Sequence, residues 1–216
     1  MKKITKKNQK NIIDLLAKAY PDAKPALHFR NAFELLVAVL LSAQCTDERV
    51  NIVTAELFEK APTPEAMAAL GEDAIREIIK SCGLYKNKAK NIAALSVILR
   101  DQFHGEVPKE RAALESLPGI GRKSANVVMS VAFGIPALAV DTHVFRVSRR
   151  MGLSTGSDVR KVEEDLTALI PKKDWAAAHH WLIFHGRRCC KAQRPLCDGC
   201  PVGELCPRIM ADKNEK

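Results

Sequence analysis

The segment Leu117-Pro118-Gly119-Ile120-Gly121-Arg122-Lys123 decides the reading of this chain. One helical pattern precedes it, and another, Ser124 to Phe133, follows it. Gly119 and Gly121 permit a tight turn and a close approach of backbone. Their N–H groups stand at the N-terminus of the following helix, where amides and helix dipole together favour an anion. A phosphate fits there without any base contact, so the segment suits a nucleic acid held by its backbone. A bare Gly-x-Gly reads as an ordinary turn between helices. Leu-Pro-Gly-Ile-Gly followed directly by Arg-Lys shifts the reading to a DNA-binding hairpin.

Outward from the hairpin the pattern is helical. Asn31 followed by Glu34 matches a capping box and opens the apolar stretch Phe33 to Leu41. Apolar residues on all sides of that stretch predict a central, buried helix. Thr63-Pro64 starts a helix with proline in its first position. Gly83 follows a helix ending at Cys82, and an amphipathic stretch runs from about Lys88 to Phe103, ended by Gly105 and Pro108. Ser157 and Asp158 start a helix that Pro171 ends. Trp175 to His185 is the last long helix, with Gly186 as its stop. Near the N-terminus Ile12, Ile13, Leu15, Leu16 and Ala19 recur at helical spacing behind Lys2, Lys3, Lys6, Lys7 and Lys10, which read as a solvated face. Ala137 to Val140 is apolar but too short to build a sheet. The expected fold is all-α, with short loops rich in glycine and proline and no internal repeat.

The chain has 216 residues, a formal net charge of +9 and a pI of about 9.3. Excess positive charge points to nucleic acid or an anionic membrane surface. No apolar run reaches the ~18 residues of a bilayer span; the longest, Leu35 to Leu41, reads as a buried helix. No apolar stretch or cleavage site backs the N-terminal lysines, so no secretory leader is expected. That places the chain in a reducing cytoplasm, where structural disulfides are rare. Seven cysteines then need another explanation, and an odd number argues against a closed disulfide framework.

Cys190, Cys197, Cys200 and Cys206 fall within 17 residues, separated by six, two and five residues. Thiols this close make a metal site the leading explanation, because a short loop wraps one centre at little entropic cost. Zinc also takes four cysteines, but its common structural sites use two close pairs. One close pair with two flanking single cysteines suits a cubane with one thiolate at each iron corner. Cys189 competes with Cys190 as first ligand on spacing alone. Cys45, Cys82 and Cys189 otherwise read as plain small residues.

Lys123 falls in the first turn of the helix after the hairpin. The positive end of the helix dipole and neighbouring Arg122 both oppose another positive charge there. Both favour the neutral amine, the form that attacks a sugar carbon and forms a Schiff base. A phosphate-binding ammonium is the competing role. Asp141, in Val140-Asp141-Thr142-His143, precedes a helix. It suits an N-cap, and equally a carboxylate that moves a proton or stabilises positive charge.

Four features stand in a fixed order: Leu41-Ser42-Ala43-Gln44-Cys45-Thr46-Asp47, the hairpin ending in Lys123, Val140-Asp141-Thr142-His143, and the four-cysteine loop. In this combination the chain resembles the endonuclease III family of the helix-hairpin-helix DNA glycosylase superfamily, over nearly its whole length. The resemblance implies a six-helix lobe from about Pro25 to Gly134 that carries the hairpin. The second lobe would combine residues 1–24 with 135–216, and DNA would lie in a groove between the two. It selects Cys190 with Cys197, Cys200 and Cys206 as ligands of a 4Fe-4S cluster with a structural and DNA-binding role.

The implied activity is that of a bifunctional DNA glycosylase and AP lyase of base excision repair, acting as a monomer on duplex DNA with a damaged base or abasic site. Its expected location is the prokaryotic cytoplasm, at the nucleoid when in use. Lys123 and Asp141 would be catalytic. Gly119 and Gly121 would hold backbone, Gln44 and Leu84 would fill the gap left by an extruded nucleotide, and His143 would border the lesion pocket. Two alternatives stand beside this reading. An adenine- or thymine-removing mismatch glycosylase of the same superfamily shares the cluster and the aspartate; the adenine enzyme normally lacks the lysine and adds a C-terminal domain. A non-catalytic iron–sulfur DNA-binding protein needs only the hairpin and the cluster.

Overall fold

The computed structural model of the chain describes residues 4–209. Lys2 and Lys3 of the basic run lie outside the described residues. Among the described residues there are ten α-helices, one short 3-10 turn and no strand. No helix among them is long and apolar enough to cross a membrane.

The helices are α1 (Lys6–Ala19), α2 (Ala32–Leu41), α3 (Asp47–Lys60), α4 (Pro64–Ile78), α5 (Tyr85–Gln102), α6 (Arg111–Glu115), α7 (Arg122–Phe133), α8 (Thr142–Arg150), α9 (Val159–Leu169) and α10 (Trp175–Arg188). Side-chain oxygens of Thr5, Asn31, Thr46, Thr63, Asp141 and Asp158 cap six of them at the N-terminus. Each such cap is worth about 1 kcal/mol. α2 is the central helix that its composition predicts, buried from Phe33 through Leu41. Its capping box is shifted by one residue. Asn31 Oδ1 accepts from the amide of Glu34, while Glu34 accepts from the amide and guanidinium of Arg30.

Three helix ends differ from the sequence reading. α4 stops at Ile78, not Cys82, and residues 79–84 form turns that lead to Gly83 and Leu84. α5 therefore starts earlier, at Tyr85, with Leu84 as N-cap in the left-handed region (φ 57°). α10 runs through Gly186 to Arg188. A Cβ on Gly186 would lie 3.1 Å from His143 Cβ and Nδ1 and from Val147 Cγ2. That glycine serves the close packing of α10 on α8 rather than a helix stop.

The chain divides into two compact units, Ala26–Ile135 and Met1–Pro25 with Pro136–Lys216. In the first, α2 packs on α3, α5 and α7, α4 packs on α3 and α5, and α6 packs on α7. In the second, α10 packs on α8 and α1, and α9 packs on α8. Ile12, Leu16, Val144, Val147, Val162, Leu166 and Leu182 form the centre of its core. Ala137 to Val140 is buried there as extended chain that enters α8.

Candidate nucleic-acid interface and metal centre

The hairpin joins α6 to α7. Leu117 and Ile120 are 2% and 4% exposed and anchor the turn in the core, while Gly121 stays at the surface. Gly119 adopts φ 79°, and a Cβ there would lie 2.7 Å from Asn91 Nδ2 and 3.1 Å from Leu40 Cδ1. Conformation and space therefore both require glycine. Gly121 is the N-cap of α7, and no side chain caps that helix or places an acid in its first turn. The first amides of α7 thus keep the character of an anion site. Behind the turn, Arg111 Nε donates to Asn126 Oδ1 at 2.9 Å, which ties α6 to the buried face of α7. Lys123 stands half-buried in the first turn of α7.

Asp141 Oδ1 accepts from the Val144 amide at 2.8 Å, so the N-cap role read from sequence is present. The cap uses one of its two oxygens and leaves the carboxylate half-buried. His143 lies next in α8, with Nδ1 3.3 Å from Arg146 Nη2. Burial pulls its pKa below the ordinary histidine value, with the Arg146 and Arg187 charges acting in the same direction.

Gln44 and Leu84 are both exposed, and both hold left-handed backbone (φ 52° and 57°) unusual for residues with side chains. Leu84 leaves 56% of its surface to solvent. Their loops touch, since a Cβ on Gly83 would lie 2.8 Å from the carbonyl oxygen of Gln44.

All seven cysteines are free. Cys190, Cys197, Cys200 and Cys206 line one pocket together with Cys189, His185 and Arg150. The loop wraps tightly at Gly203, where a Cβ would lie 3.1 Å and 3.2 Å from the carbonyl oxygens of Cys197 and Cys200. Arg150 Nη1 donates to Cys190 Sγ at 3.7 Å, and the Arg208 amide donates to Cys206 Sγ at 3.4 Å. The Cys189 thiol instead donates to the Leu196 carbonyl at 3.3 Å, and burial with its Cys200 contact pushes its pKa up to about 12. The ligand atoms of His185, Cys189 and Cys200 lie within 4.8 Å of one another. His185 is fully buried, which pushes its pKa down to about 4. Its Nδ1 meets Tyr20 Oη at 3.0 Å and its Nε2 faces Cys200 Sγ at 3.7 Å.

Sequence reasoning missed Arg146 and Arg150. Arg146 Nη2 donates to the carbonyls of Gly186 and Cys190, each at 3.0 Å. Arg150 donates to those of Lys191 and Ala192 at 2.6 Å and 2.9 Å. Their four-residue spacing along α8 was the available signal. Lys88 was missed as well: it heads the buried stripe of α5 that continues through Ala89, Ile92, Leu95 and Leu99.

The family model described as "HhH-GPD superfamily base excision DNA repair protein" matches residues 37–172, which span the hairpin, Lys123 and Asp141. A second, "Iron-sulfur binding domain of endonuclease III", matches residues 190–206, beginning and ending on cysteine. Endonuclease III of Bacillus subtilis (strain 168) is 52% identical over 195 residues, covering 90% of this chain and 89% of that protein. Endonuclease III of Escherichia coli (strain K12) is 48% identical over 203 residues, covering 94% and 96%. The solved structure "Structure of a Trapped Endonuclease III-DNA Covalent Intermediate: Estranged-Adenine Complex" superposes with a TM-score of 0.91 at 52% identity, covering 95% of this chain and 97% of that one. Fold and hairpin thus define a helix-hairpin-helix base excision repair protein. The chain belongs to the endonuclease III family, whose members are DNA glycosylases and AP lyases.

The family's cofactor is a 4Fe-4S cluster, and the cysteine loop fits it. The loop offers free thiols around one pocket, with N–H donors aimed at two of the sulfurs. Such hydrogen bonds stabilise thiolate sulfur bound to iron.

Proposed function

We propose that the chain removes oxidised pyrimidines from duplex DNA and then cuts the strand on the 3′ side of the abasic site, with Lys123 as nucleophile. The observation that carries this is the placement of Lys123 in the first turn of an α7 whose leading amides have no side-chain cap. The similarity to a trapped covalent enzyme–DNA complex supports it. Gly119, Gly121 and the α7 amides hold backbone phosphate near the lysine. The damaged nucleotide leaves the stack at a cost of a few kcal/mol, less for a damaged base than for a sound one. Gln44 and Leu84 fill the gap, and His143 borders the pocket that receives the base.

Lys123 Nζ, as the neutral amine, forms a bond to sugar C1′ while the bond from C1′ to the base breaks, and the base departs with a proton. Asp141 accepts the lysine proton and stabilises positive charge at the sugar. The sugar ring opens to a Schiff base. Loss of a C2′ proton then expels the 3′ phosphate, and water hydrolyses the imine and frees the lysine.

Cys190, Cys197, Cys200 and Cys206 would hold the cluster, which supplies a rigid framework for a basic loop rather than a step of the bond chemistry. The choice of Cys190 over Cys189 is supported by the family model, whose match begins at Cys190. Cys190 Sγ also accepts from the Arg150 guanidinium. We further propose that the enzyme works as a monomer at the bacterial nucleoid.

Borohydride trapping tests the mechanism on a labelled duplex with one thymine glycol. A covalent complex is expected with the wild type and none with Lys123→Ala, which should still bind DNA. Absence of trapping by the cluster-loaded wild type would sink the lysine mechanism and favour a monofunctional glycosylase or a non-catalytic binder. Loss of binding by Lys123→Ala would make the residue a phosphate contact. Excision of thymine opposite guanine in preference to thymine glycol would move the substrate to mismatches.

A further inference from the structure

Lys88 is only 4% exposed, an unusual place for an ammonium. Its Nζ donates to the carbonyl oxygen of Leu41 at 2.9 Å and to that of Ala43 at 2.6 Å. These carbonyls belong to the C-terminal end of α2 and the turn that delivers Gln44. Helix-end carbonyls lack intrahelical partners, and the negative end of the helix dipole favours a cation there. Lys88 also lies one turn beyond Leu84, and its amide donates to the Leu84 carbonyl at 3.1 Å. The side chain of Lys88 thus holds the loop before Gln44 from a position one helical turn after Leu84, where its amide makes the ordinary first hydrogen bond of α5. The close fit of Gly83 against the Gln44 carbonyl closes the same junction from the other side.

Gln44 and Leu84 both keep left-handed backbone conformations. Such conformations cost about 1 kcal/mol or more each and persist where the surroundings over-determine them. The Lys88 side chain constrains the first loop, and the close fit of Gly83 on the Gln44 carbonyl couples the second to it. Burial holds the ammonium's pKa below the ordinary lysine value, against an opposing influence from Cys45 and Cys82, so the contact is made against a desolvation cost.

We propose that Lys88 is a positioning residue that ties the Gln44 loop and the Leu84 loop into one rigid wedge, so that both side chains enter the duplex together as the damaged nucleotide leaves it. This rests on the gap-filling role proposed for Gln44 and Leu84. Lys88 itself touches neither DNA nor the reacting atoms. It acts on extrusion, before the lysine chemistry.

The test uses the full-length, cluster-loaded protein as wild type, Lys88→Met, Gly83→Ala, Gln44→Ala and Leu84→Ala. Extrusion is read as fluorescence of 2-aminopurine next to a tetrahydrofuran site in duplex DNA. Chemistry is read as single-turnover excision of thymine glycol from a duplex and from an unpaired bubble, where no stacked base need be displaced. Lys88→Met leaves two helix-end carbonyls without their donor, so extrusion and duplex excision should fall about tenfold. Excision from the bubble should hold near the wild-type rate. Adding Leu84→Ala to Lys88→Met should cost little more than either change alone, because both act through one wedge. Gly83→Ala disturbs the junction with Lys88 in place and should show the same split, which decides the matter where Lys88→Met fails to fold. Wild-type extrusion in both junction variants would overturn the proposal. So would an equal loss on duplex and bubble, the mark of general destabilisation. Normal extrusion in both Gln44→Ala and Leu84→Ala would instead remove the gap-filling reading beneath it.

Discussion

Gly186 shows how one residue type serves two physical purposes. In sequence it follows a long apolar helical stretch, and glycine at a helix end is the usual left-handed stop. In the structure it lies within the last turn of α10, where its missing side chain lets His143 and Val147 of α8 come within 3.1 Å of the Cβ position. Periodicity within one helix carries no information about what packs across from it, so this use of glycine was not legible. Gly119 was legible, because the hairpin demands its backbone conformation locally. Alanine normally stabilises a helix over glycine by up to about 1 kcal/mol. At Gly186 the sign should reverse, since the new methyl meets the His143 Cβ, which the α8 backbone fixes, and a ring nitrogen that lies against Arg146. Gly186→Ala should lower the thermal midpoint, and a rise would show that α8 and α10 can separate at little cost. Lys123 and Asp141 were legible as residue types, and the Asp141 cap was read correctly. What each does toward a sugar lies beyond local pattern, because capping and catalysis ask for the same carboxylate.

α8 is the element on which the cysteine loop depends. Asp141 caps its start, and Arg146 and Arg150 project toward the end of α10 and the loop. Arg146 satisfies the Gly186 carbonyl in the last turn of α10, where carbonyls lack intrahelical partners. Arg150 fastens the carbonyls of Lys191 and Ala192, and its own carbonyl accepts from the Ile209 amide at 3.0 Å. The loop is therefore held at both ends by one arginine as well as by the cluster its cysteines take. Cysteine spacing revealed the cluster loop, whereas the strap was hidden because its partners are backbone carbonyls, which no sequence pattern marks. Cys197→Ser should abolish the visible absorbance of the cluster and lower the folded yield, as metal binding and folding are coupled. Arg150→Met should fold and take up the cluster but lose its absorbance faster under a chelator than the wild type. Equal rates of loss would mean that the cluster alone orders the loop.

At the scale of the whole molecule the sequence was most informative about class and least about arrangement. Helical periodicity and capping residues are local, and most of the helices follow from them with errors at their ends, whereas α3 (Asp47–Lys60), capped by Thr46, was not read from the sequence. The net charge of +9 is likewise a property of the whole chain, and it bears on how DNA is held rather than on which base is removed. Lys6, Lys7 and Lys10 are exposed on α1, and Arg187, Arg188, Lys191 and Arg194 are exposed at and beyond the end of α10. Each cation that neutralises a phosphate releases counterions, and log affinity falls with log salt by about 0.9 per phosphate neutralised. The amides at the start of α7 bind phosphate without bringing a charge, so they add affinity without steepening that slope. Affinity for a duplex with one abasic-site analogue should therefore drop steeply with salt, by about a thousandfold between 50 and 200 mM if six phosphates are neutralised. Removing one cation that touches phosphate should reduce the slope by about one, whereas Gly121→Pro, which deletes an amide at the α7 cap, should weaken binding at every salt concentration and leave the slope unchanged. A salt-independent affinity would mean that the positive charge serves something other than DNA, and a slope that flattens with Gly121→Pro would mean that the hairpin recruits a lysine or arginine rather than acting through its backbone.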